Sequence, residues 1–101
     1  MATLNFTLDT LNKINENLII ISGQLVLGHI EPDIAEKHVN ALKTMKNATV
    51  DALFDSYRLT PEQFDTVSLE SNKADQNFDK IENYIAYKKK ENLAENQAQP
   101  E

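Results

Sequence analysis

The stretch Leu59-Thr60-Pro61-Glu62-Gln63-Phe64 decides the fold. Thr60 is placed to accept a hydrogen bond from the backbone N–H of Gln63, and the Gln63 side chain to reach back to the backbone of Thr60. Pro61 falls at the first helical position, where its missing N–H has no partner to lose. Leu59 and Phe64 have the spacing of a hydrophobic staple. Beyond this box, Phe64, Val67, Ser71, Ala74, Phe78, Ile81 and Ile85 recur at alternating intervals of three and four. That is the seam of a coiled coil or of a tightly packed helical bundle. The predicted helix runs from Pro61 to about Asn92. Its weakest point is Ser68–Asn72, a polar run in which a break would give four helices in place of three.

Upstream, Pro61 pushes Thr60 out of the α region and ends the preceding helix near Tyr57. That second helix is predicted to start at Pro32, with Asp33 and Glu36 in its first turn and Arg58 near its end, as the helix dipole favours. Ile34, Ala41, Leu42, Met45, Ala48, Ala52 and Leu53 share one face, and the alanines would let a neighbouring helix approach closely. Val39, Val50, Phe54 and Tyr57 form a second apolar strip.

A first helix begins after Thr7, the expected N-cap, with Phe6 and Leu11 at staple distance. It carries Leu8, Leu11, Ile14, Leu18, Ile21 and Leu25 on one face. Within it, Leu18-Ile19-Ile20-Ile21 and Leu25-Val26-Leu27 flank Gly23-Gln24, and read alone this is also a hairpin pattern. Helix is the better reading, because the 3.6-residue period set at Leu8 passes through without a phase break. Gly28 suits a left-handed helix end and Pro32 the next helix start. Short connections force neighbouring helices to run antiparallel. The expected fold is therefore all-α: an antiparallel three-helix bundle with coiled-coil-like packing over residues 1–93, followed by a disordered tail, 94–101, with little to bury.

Composition narrows the function. The chain has 101 residues, a net charge of −6, 2 Gly, 3 Pro and no Cys, which excludes disulfides and thiolate metal sites and fits a reducing, cytoplasmic setting. No secretory leader is read at the N-terminus, where Asp9 and Glu16 interrupt any apolar core. The longest apolar tract, Leu18–Leu27, is half of the about 20 residues that a membrane span needs. Nine Lys against one Arg, with abundant Asn, suggests an AT-rich bacterial or phage genome.

No catalytic constellation is apparent. Ser22, Ser56, Ser68 and Ser71 have no His at a usable spacing, and there is no phosphate-cradling glycine loop. His29 and His38 bracket Glu31, Asp33 and Glu36, but the spacing matches no helical metal pair. The expectation is a non-enzyme without metal or cofactor.

What remains is binding. On the first helix Ile20 and Leu27 project away from the Leu11-Leu18-Leu25 stripe, with Ile19 and Val26 between. With Val50 and Phe54 of the second strip, they are the expected partner or oligomer interface, since a helix apolar on two sides must be covered on two sides. The leading expectation is a small acidic interaction module, a self-associating adaptor or structural component of a larger assembly. A second reading is an inhibitor whose acidic face (Asp51, Asp55, Glu62, Asp65, Asp75, Asp79, Glu82) blocks a basic, nucleic-acid-binding site on a target. The third is a nucleic-acid-binding module acting through Tyr84, Tyr87 and Lys88-Lys89-Lys90, which the acidic balance disfavours.

Overall fold

The computed structural model describes residues 3–56 and 58–98 and resolves them into three helices: α1 (Leu4–Val26), α2 (Pro32–Ser56) and α3 (Pro61–Ala98). All three pack on one another as an all-α bundle. Lys46 pairs with Asp75 and Lys43 with Glu82, so α2 and α3 are antiparallel. Leu11 near the start of α1 clusters with Val50 and Leu53 near the end of α2, while Leu18, Ile21 and Leu25 cluster with Ala35 and Val39 near its start, so α1 is antiparallel to α2 and parallel to α3.

The capping box forms as expected. Gln63 N–H donates to Thr60 Oγ1 (3.1 Å) and Thr60 N–H to Gln63 Oε1 (3.0 Å), while Phe64 N–H reaches the Thr60 carbonyl. Removing the hydroxyl acceptor in Thr60→Ala is expected to cost about 1 kcal/mol. A lowered thermal midpoint by circular dichroism checks it, and an unchanged one would show that the cap contributes nothing.

The α1–α2 turn is a Schellman motif. His29 N–H bonds the Gln24 carbonyl and Gly28 N–H that of Leu25, with Gly28 at φ 75°, a conformation only glycine adopts without strain. The hairpin alternative for 18–27 is thereby displaced: α1 is continuous through Gly23, where a Cβ would meet nothing within 4 Å.

Three boundaries differ from expectation, and one expected continuity holds. The N-cap of α1 is Thr3, whose hydroxyl accepts from Phe6 N–H at 3.1 Å, and helix begins one turn earlier than Thr7 would have set it. Thr7 is turned inward instead, as the first member of a Thr7-Leu11-Ile14-Leu18-Ile21-Leu25 core stripe. Arg58 lies beyond α2, which ends at Ser56 with no basic residue in its last turn. Helix α3 is unbroken across 68–72, because Ser71 keeps its place in the seam, half-buried between Val67 and Ala74. It also continues past Leu93 to Ala98, while the rest of the expected tail (99–101) lies outside the described residues, as does Tyr57.

Two apolar clusters fill the interior. The larger joins Ile14, Leu18, Ile21 and Leu25 to Ala35 and Val39 and to Ala74, Phe78, Ile81 and Ile85. The smaller holds Leu11, Val50, Leu53 and Val67. Between them in the α2 sequence stands Lys46, its side chain 9% exposed and its ammonium 2.7 Å from Asp75 Oδ1.

Apart from Leu53, which is buried as expected, and Leu42, which packs against the larger cluster, the core face of α2 is not the one expected. Ala35, Val39, Lys46, Val50 and Leu53 point inward, whereas Ile34, Ala41, Met45 and Ala48 face out and Leu42 and Ala52 are half-buried. Lys43 and Lys46 pair with α3 in this rotation, which turns the alanine strip to solvent. Phe64 also leaves the seam. It is half-exposed and stacks on Phe54, ring centroids 5.3 Å apart.

Thr7 Oγ1 is fully buried and has no hydrogen-bond partner among the described residues. An unmade hydrogen bond at a buried hydroxyl is costly, so Thr7→Val is expected to stabilise by about 1 kcal/mol. Urea denaturation reads this directly, and a loss of stability would show that the hydroxyl is satisfied.

Candidate interaction surface

Three helices cover one face of α1 and one of α2, and the remaining apolar side chains stay in solvent. On α1, Phe6, Lys13, Ile20 and Leu27 recur every seven residues along the outer side. Ile20 is 56% and Leu27 69% exposed. On α2, the outward residues Ile34, His38, Ala41, Met45 and Ala48, continued by the half-buried Ala52, alternate at four and three, a second seam beside the inner one. Ile34 and Met45 are about half exposed. Between the helices runs an open groove of about 320 Å³, with Ile20, Ile21, Ile30 and Leu42 as apolar walls and Asn17, Gln24 and His38 as polar margins.

The residues expected at the interface divide. Ile20 and Leu27 lie on this outer α1–α2 face. Ile19 is exposed on the opposite flank of α1, by a hollow shared with Asn77 and Lys80 of α3, and Val26 follows it seven residues on. Phe54 is partly exposed but occupied by its stack with Phe64. Val50 is 7% exposed and belongs to the smaller core cluster, which corrects its placement on the surface: the same rotation of α2 that exposes Met45 buries Val50.

Sequence reading missed Phe6, Ile34, Ala41, Met45 and Ala48 as surface. Their 3-4 spacing was visible, but it reads equally as core until the ion pairs to α3 set the phase.

The acidic residues are not one free row. Asp51, Asp55, Glu62, Asp65 and Asp79 are exposed, but Asp75 is engaged by Lys46 and Glu82 by Lys43 (2.9 Å). A third contact closes the other end of the α2–α3 seam, where Lys89 bonds Glu36 and approaches Asp33 at 3.3 Å. The Glu82 carboxylate, by hydrogen bond and charge, holds the Lys43 ammonium above its ordinary pKa, and Glu36 does the same for Lys89.

The basic cluster is likewise partly spent. Lys89 serves Glu36, and Lys88 sits 5.7 Å over the Tyr84 ring and 3.8 Å from Glu91. Tyr84 packs against the larger core cluster, and only Tyr87 of the pair is exposed. Among the described residues no three His, Asp or Glu side chains gather as metal ligands, and no helix is long and apolar enough to cross a membrane.

Comparison of the chain with known protein families, with curated proteins and with solved structures finds no match. The surface itself carries the functional reading.

Proposed function

We propose that the protein is a small helical interaction module that self-associates through the outer α1–α2 face and serves as an adaptor or structural component of a larger assembly. The observation that carries the reading is the second seam of α2: Ile34, Ala41, Met45 and Ala48 repeat at coiled-coil spacing in solvent, beside Ile20 and Leu27 of α1. Each large apolar side chain left exposed forgoes about 1.5–3 kcal/mol that burial against another chain recovers. The alternative, an inhibitor presenting an acidic face to a basic site, is less well supported, because Asp75 and Glu82 are bound within the bundle.

Light scattering is expected to give a dimer or larger species at micromolar concentration, little changed by ~0.5 M salt, which screens charge contacts but not apolar ones. Ile20→Glu with Leu27→Glu should give a helical monomer, since both side chains lie outside the core. A monomeric wild type would overturn the reading and leave the exposed carboxylates Asp51, Asp55, Glu62, Asp65 and Asp79 as the leading contact surface.

A further inference from the structure

Resting on the α1–α2 face as the association surface, we infer its occupant and its register: a second copy of this chain, antiparallel, about a two-fold axis that passes beside α2 midway between Ala41 and Met45. About that point all six positions of the outer seam of α2 are paired. Turned end for end, it sets Ile34 opposite Ala52 of the second copy, His38 opposite Ala48 and Met45 opposite Ala41. Every large side chain meets an alanine, the arrangement in which knobs fill holes and two helices approach closely. A parallel pairing would set Ile34 on Ile34 and Met45 on Met45, and leave alanine on alanine between them.

Helix α1 supplies a separate check. Its outer stripe, Phe6, Lys13, Ile20 and Leu27, is symmetric about a point between Glu16 and Asn17. The same operation sets Phe6 opposite Leu27 of the second copy and the aliphatic stem of Lys13 opposite Ile20. Within one chain, Asn17 lies beside Ala41 and Leu42 around the groove. The centres of the two stripes therefore stand at one height, and a single axis satisfies both helices.

Charge and area agree with it. Lys37 and Asp51 are exposed, form no ion pair among the described residues, and lie on one flank of the α2 stripe at nearly equal distances from the axis. The two-fold brings each lysine towards the aspartate of the other copy, twice over. The face is about 35 Å long, from 23 residues of α1 at 1.5 Å each, and the molecule is 20 Å across. That makes roughly 700 Å² a side, close to the about 800 Å² per partner of a standard stable interface.

The chain has no cysteine, so introduced thiols report unambiguously. Ile34→Cys and Ala52→Cys are prepared separately, checked for helix content by circular dichroism, and oxidised alone and as an equimolar mixture with a short bis-maleimide in parallel. The expected result is a covalent dimer in the mixture and none from either variant alone, because like positions would stand about 27 Å apart along the helices. Self-linking of each variant would overturn the inference in favour of a parallel pair. A dimer by light scattering with no link in the mixture would overturn the register and leave the association face standing. A monomer by light scattering would remove both.

Discussion

Phe78→Ala lowers stability by about 3–5 kcal/mol, a large share of what a domain of this size possesses. The ring is fully buried in the larger cluster, where α1, α2 and α3 all contribute neighbours, and the Lys43 ammonium lies 6.0 Å from its centroid. Truncation leaves a void that three rigid helices, held at both ends by caps and turns, have little freedom to fill. Asp79, the next residue, faces water, and its replacement by alanine is close to neutral. Urea denaturation of the two variants makes the comparison. Equal losses would show that the phase of α3 is misplaced.

The second large effect concerns the polar pair inside the bundle. Asp75→Ala is expected to cost about 2 kcal/mol, because the mostly buried Lys46 side chain then loses the carboxylate beside its ammonium. Removing one member of a fully buried pair costs about 3–5 kcal/mol. The lower figure applies here because Asp75 is 48% exposed and the freed lysine can extend along it towards water. Lys46→Met behaves differently. It removes the charge and keeps the volume, so stability is unchanged or rises, and adding Asp75→Ala to it costs little. A chemical-denaturation cycle over the four proteins measures this. Equal losses from Asp75→Ala and Lys46→Met would show that the pair, not the stranded charge, governs the effect.

That lysine also explains where sequence reading stopped short. The capping box at Thr60–Gln63, the Gly28 turn and the Val67–Ile85 seam are local: each is specified by residues within a few turns of one another, and each stands as expected. The phase of α2 is not local. Its inner face contains a lysine and its outer face only apolar residues, alanine and His38, so hydropathy alone selects the outer one as core. Asp75, 29 residues away, reverses the choice. The interface inherits the same ambiguity, which is why the pattern alone places Val50 on the surface and Ile34 and Met45 in the interior. The start of α1 is a smaller instance. Thr3 and Thr7 are both good caps one turn apart, and only the inward place of Thr7 in the core stripe separates them.

Lys46 has a consequence for how the molecule opens. It divides the interior unequally: among the described residues ten buried apolar side chains lie on the side of the Gly28 turn and four on the side where α2 gives way to α3. The shallower end combines the first turns of α1, the last of α2 and the first of α3, and the Thr7 hydroxyl, buried there without a partner among the described residues, weakens it further. Fluctuations that admit solvent therefore begin there and stop at the lysine, whose charge is already suited to water. Backbone amides near Leu11, Leu53 and Val67 exchange through this partial opening, while those around Leu18, Val39 and Phe78 wait for the whole bundle to unfold. The protein breathes from one end.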